Sequence, residues 1–119
     1  MSDESTEFRN PTAQEQRLLD VLIARASEVN LPTDWRATLR VQPMKDGGMG
    51  SLHLFPNGRS EEKRLFGRRV SEYQFADVDG TQVIASLNVD QVGRLFELDI
   101  WKTDFSPLIC VPEHIDDQA

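Results

Sequence analysis

Two carboxylates set two residues apart beside a large aromatic are the strongest chemical signal in this chain. Glu97, Asp99 and Trp101 lie in the stretch RLFELDIWKTDFSPL at residues 94–108. In an extended strand they share one face, with the carboxylates about 7 Å apart, while Phe96, Leu98 and Ile100 fall on the other. Paired carboxylates near that spacing can do acid–base work on glycosides, but only within a cleft that also stacks the sugar. A short chain with short connections has little material for such a cleft, and the pattern fits a contact face better. An aromatic on an outer strand face is a common interface anchor, although carboxylates themselves are depleted from interface centres. Lys102 reads as a local neutraliser of Asp99 or Asp104. Asp104, just before Phe105-Ser106-Pro107, suits an aspartate bonded to its own turn.

Other clusters carry less. Asp77-Val-Asp79-Gly80 has the first ligands of a calcium loop without the remaining ones, and a strand resumes at once, so it reads as a hairpin turn. Gly47-Gly48-Met49-Gly50 lacks the lysine and hydroxyl residue of a phosphate loop and also reads as a turn. His53, His114 and Cys110 have no metal-site spacing, and a Cys110–His114 dyad would sit in the C-terminal tail. No catalytic constellation, cofactor motif or metal site is recognisable, so the expectation is a protein that is not an enzyme.

Charge narrows the partners. The 119 residues carry a formal net charge of −7. Residues 31–70 hold eight bases and four acids, whereas residues 71–119 hold ten acids and two bases. The field of such a surface attracts a basic protein and opposes nucleic acid. Arg59, Lys63, Arg64, Arg68 and Arg69 around Phe66 would be the exception, but Glu61 and Glu62 interrupt them. The segment 59–69 therefore reads as a solvated connection, with Leu65 and Phe66 tucked onto a sheet edge. No apolar run reaches the roughly 20 residues of a membrane helix, the N-terminus has no secretory pattern, and the lone cysteine suits the cytoplasm.

The elements that must position these residues follow from pattern. Thr12-Ala-Gln-Glu15 fits a capping box, and Leu18, Leu19, Leu22, Ile23 and Ala26 recur at helical spacing, predicting an amphipathic helix over about 12–28. Alternation then predicts strands at Trp35–Val41, Ser51–Phe55, Arg69–Val78 and Thr81–Val89, with residues 94–105 as the last. The mixed pattern of Tyr73 and Phe75 against Val70 and Ala76 suggests a bulge or burial on both faces. Without helices between the later strands, the sheet should be antiparallel. The expected architecture is α+β: an N-terminal amphipathic helix packed on a four- to five-stranded antiparallel β-meander. Residues 1–10 would be a flexible lead-in, 11–112 the domain and 113–119 an acidic tail.

The segments DGGMGSLHLF at 46–55 and DGTQVIASLNVDQVGRLFELDIWKTDFSPL at 79–108 resemble a small bacterial family of single-domain proteins with no known function. That resemblance implies no activity, cofactor or site residue. In size and acidity the chain is also similar to immunity proteins of bacterial toxin systems. The functional expectation is a protein-binding domain, in its specific form an immunity-type protein that blocks a basic toxin. Glu97, Asp99, Trp101 and Asp104 would form the face, with Asp77, Asp79 and Asp90 on neighbouring turns steering association. The alternative is a small-molecule or regulatory domain with a pocket between helix and sheet, lined by Leu22, Phe75 and Phe96. A homodimer through the sheet is a third reading.

Overall fold

A computed structural model describes residues 8–59 and 63–112. Helix α1 spans Ala13–Arg25. Its start is the expected capping box: Glu15 N donates to Thr12 Oγ1 and Thr12 N donates to Glu15 Oε1. Arg9 adds a bidentate pair with the same Glu15. The helix stops three residues earlier than its periodicity suggested, and Leu18, Leu19, Val21 and Leu22 are its buried face.

The segment expected to open the sheet does something else first. Trp35–Thr38 is one helical turn, α2, and strand β1 begins only at Arg40 and runs to Pro43. The alternating bulky residues Trp35, Ala37, Leu39 and Val41 conceal a four-residue spacing: Trp35 and Leu39 are buried while Ala37 is exposed. That spacing suits a helix as well as a strand. The bond from Leu39 N to Trp35 O closes the turn.

Four more strands follow: β2 (Leu52–Phe55), β3 (Phe66–Ala76), β4 (Gln82–Asp90) and β5 (Leu95–Lys102). All neighbours are antiparallel, in the order β1-β2-β5-β4-β3. The protein is thus an α+β domain with one long helix on a five-stranded antiparallel sheet. Strand order departs from a simple meander at one place, where β2 borders β5 and the chain must cross the sheet end to begin β3. The last residues of the expected lead-in are built in. Arg9 bridges to Val41 on the outer side of β1, and Phe8 packs on Phe55 with ring centroids 5.0 Å apart. The rest of the lead-in and the expected tail from residue 113 lie outside the described residues.

The core lies between α1 and one sheet face. Leu18, Leu19 and Leu22 meet Val41, Leu52, Leu54, Phe75, Val83, Ala85, Leu87, Leu95, Leu98 and Ile100. Irregular pairing refines this face. Val89 pairs with Leu95 but Asn88 with Glu97, so Phe96 is an extra residue in β5. Leu95 therefore takes the core position expected for Phe96, which is only half-buried. Strand β3 carries the expected irregularity twice, between Phe66 and Arg68 and between Arg69 and Ser71. At the first, a Cβ on Gly67 would stand 2.2 Å from the Asp90 carbonyl oxygen, so only glycine lets these backbones approach.

Candidate functional site

The register of three strands assembles the helix-free face. Glu97 lies opposite Asn88, which lies opposite Arg69. One pair further along, Asp99, Ser86 and Glu72 form a second row, and Trp101, Ile84 and Gln74 a third. On the other side of β5, His53 of β2 faces Glu97. The expected grouping of Glu97, Asp99 and Trp101 on one face is therefore present. Trp101 is 45 % exposed. Phe105, 68 % exposed, leans on it with ring centroids 6.2 Å apart. Phe105 adopts φ 65°, a left-handed conformation costly for a large side chain. The bond from its N–H to the Lys102 carbonyl closes the turn that holds it there.

A shallow depression of about 330 Å³ opens on this face, lined by Ser51, Arg69, Glu72, Ile84, Ser86, Asp99, Ile100 and Trp101. Its floor is Ser86, small enough to leave a gap between the carboxylates of the two adjoining strands. Asp99 Oδ2 accepts from Asn88 Nδ2 at 3.2 Å, and the Glu72 carboxylate stands 3.8 Å from Arg69. Ser86 and Glu72 escaped the sequence reading, and Arg69 figured there only in the basic run, because their grouping depends on which strands pair and in what register.

The other predicted acids are placed differently. Asp104 closes its own turn, accepting from Ser106 N at 3.0 Å and Ser106 Oγ at 2.6 Å, which holds its carboxyl below its usual range. Asp77 and Asp90 are buried, so they do not present the steering charge expected of them. Asp77 accepts from Val78, Ile109 and Cys110 backbone N–H groups, and Lys102 Nζ lies 2.8 Å from it. Burial alone would raise its pKa, but these donors outweigh burial and bring it down to about 2. Lys102 Nζ also bonds Asp79 at 2.8 Å and the Pro107 carbonyl at 3.1 Å. Lys102 is thus spent on the β3–β4 hairpin rather than on Asp99 or Asp104, because it shares the inward parity of Leu98 and Ile100. The hairpin reading of Asp77–Gly80 holds, with Gly80 N donating to the Asp77 carbonyl.

At the opposite end of the sheet, Asp90 accepts from Val92 and Arg94 N–H groups and from the side chains of Arg64 and Arg94. Burial pushes the Asp90 carboxyl up, yet these donors leave it below its usual value. Arg64 further donates to the carbonyls of Leu54 and Leu95 and lies 5.2 Å from the Phe96 ring centroid. Three cations of the basic run are engaged within the protein: the Arg64 side chain is buried, Arg68 meets Glu28, and Arg69 meets Glu72. Leu65 and Phe66 are exposed instead of tucked against the sheet edge, since the inward position is taken by Arg64. The pocket expected between Leu22, Phe75 and Phe96 is not formed by them. Leu22 and Phe75 belong to the packed core, and Phe96 lies outside it beside Arg64.

Residues 8–112 match the model of a family described as Domain of unknown function (DUF6984). The chain belongs to that family. No curated protein and no solved structure matches it. The family match spans all five strands, α1 and both buried ion-pair clusters. No helix among the described residues is long and apolar enough to cross a membrane, and no group of three or more metal-ligating side chains occurs among them.

Proposed function

We propose that this protein is a binding domain that engages a basic protein through the helix-free face of its sheet. The observation that carries this reading is the pair of exposed aromatics, Trp101 and Phe105, beside the outward carboxylates Glu97 and Asp99. Exposed large rings are costly to leave in water, and holding Phe105 at positive φ adds backbone strain to that cost. The buried acids at both sheet ends are neutralised internally, so the face itself supplies the negative charge that a basic partner would meet. A bacterial, cytoplasmic, immunity-type protein blocking a basic toxin is the specific form of this reading, supported by acidity and size.

The test is affinity capture at low salt with the full chain and with Trp101→Ala side by side, followed by binding measurements on the identified, purified protein. The expected result is a basic protein whose association slows steeply with added salt and whose affinity drops at least tenfold for Trp101→Ala, with the variant still folded. Salt-independent binding, or equal affinity for the variant, would overturn the assignment.

A further inference from the structure

The depression over Ser86 has a composition that goes beyond a generic acidic face. Ser86 is 6 % exposed, yet among the described residues no group hydrogen-bonds its hydroxyl, which lines the depression. The hydroxyl is open to the depression, since no fully buried side-chain oxygen among the described residues lacks a partner. Its lateral neighbours are Asp99 on β5 and Glu72 on β3. Their backbones are two strand spacings apart, about 10 Å, with the small serine between them. One Asp99 oxygen is engaged by Asn88. The aromatic wall is Trp101.

We infer that this notch receives an arginine side chain of the partner protein, its guanidinium bonded by Asp99, Glu72 and Ser86 Oγ and covered by the Trp101 indole. This deepens the protein-binding reading above and rests on it. Carboxylates on both sides and an unpartnered hydroxyl on the floor call for a ligand rich in donors and positively charged. A guanidinium offers five donors in a planar fork that can reach acceptors on several strands and can stack on an indole. An ammonium is a compact charge that would satisfy one carboxylate at a time. Arg69, 3.8 Å from Glu72 at the rim, occupies part of this acceptor set in the free protein. It acts as an internal competitor that the incoming arginine displaces.

The probe is N-acetyl-arginine amide, titrated into the isotopically labelled full chain and followed by NMR, beside the uncharged citrulline and the lysine counterparts. The arginine probe should shift the Ser86 and Asp99 amides and the Trp101 indole N–H together, with weak, saturable binding. Asp99→Asn should weaken it at least fivefold while keeping the bond from Asn88, and Ser86→Ala should weaken it two- to threefold. Arg69→Ala should strengthen it two- to fivefold, which a merely acidic surface does not require. Glu28→Gln, whose carboxylate meets Arg68 and does not line the depression, should leave it unchanged. Equal response to citrulline or lysine, shifts spread over the surface, or indifference to Asp99→Asn would each overturn the inference. The outcomes separate the two proposals. A basic partner that needs Trp101 but tolerates Asp99→Asn and Ser86→Ala would sustain the binding reading and remove the arginine notch.

Discussion

The two ends of the sheet solve one problem with opposite charge arrangements. At the β4–β5 end, the buried carboxylate of Asp90 lies between two cations, Arg64 and Arg94. At the other end, the buried ammonium of Lys102, with a side chain 1 % exposed, lies between two carboxylates, Asp77 and Asp79. Each cluster fastens a segment that has no strand partner of its own. Arg64 ties the crossover from β2 to β3 through the Leu54 and Leu95 carbonyls. Asp77 and Lys102 tie residues 107–110 through Ile109 N, Cys110 N and Pro107 O. A buried ion pair is weak evidence of net stabilisation, because desolvation offsets much of the attraction. What it supplies here is direction: only one placement of each loose segment satisfies the buried charge.

The contrast predicts unequal fragility. Lys102→Met removes the sole cation of its cluster and leaves Asp77 buried without a counter-charge beside Asp79. It should cost about 3–5 kcal/mol in urea denaturation. Arg64→Ala leaves Asp90 with Arg94 and two turn amides, so the loss is chiefly that of the carbonyl contacts, about 2–3 kcal/mol. If Lys102→Met proved the milder change, the idea that a second cation insures the Asp90 end would be broken.

How far the sequence reveals this depends on whether a feature is local. The Thr12–Glu15 capping box and the Asp79-Gly80 hairpin rest on neighbours in sequence and are found as read, whereas the alternation of β5 holds from Glu97 onward and is shifted at Phe96 by the bulge. The Trp35–Leu39 turn is not separable from a strand by pattern, since positions four apart share a face in both. Arg64 sits in the most charged stretch of the chain and looks like any solvated cation. Its burial depends on the β2–β5 pairing, which brings the Leu54 and Leu95 carbonyls together within its reach. Lys102 was half legible: its parity with Leu98 and Ile100 points inward, but its partners lie on a hairpin over twenty residues away. The candidate face divides the same way. Glu97, Asp99 and Trp101 come from one strand and are readable, while Ser86 and Glu72 join them only through register.

Acid should weaken the Lys102 end through Asp77. Asp77 is held at about 2, against an ordinary value of 3.8. A carboxyl with a depressed folded-state pKa takes up its proton more readily in the unfolded chain. Its contribution to stability is therefore complete above about pH 4 and is lost as pH falls toward 2. Urea midpoints measured between pH 5 and 2 should fall with acid. Asp77→Asn should flatten part of that slope, leaving the share that belongs to the other lowered carboxyls, Asp90 among them. A slope unchanged by Asp77→Asn would mean that the β3–β4 hairpin does not carry the acid sensitivity.

The smallest effect sharpens the comparison most. Arg94 is the partly exposed second cation of Asp90, its side chain 27 % exposed against 7 % for Arg64. Arg94→Ala alone should cost no more than about 1 kcal/mol, as for a solvent-screened pair. In an Arg64→Ala background the same substitution strips Asp90 of its last cation within the cluster. The buried carboxylate is then left to the Val92 and Arg94 amides, which the alanine change preserves. The double variant should therefore lose more than the two single losses added, by about 1–2 kcal/mol in a double-mutant cycle. Additive losses would show that the two arginines act on separate groups, and that the Asp90 end is no better insured than the Lys102 end.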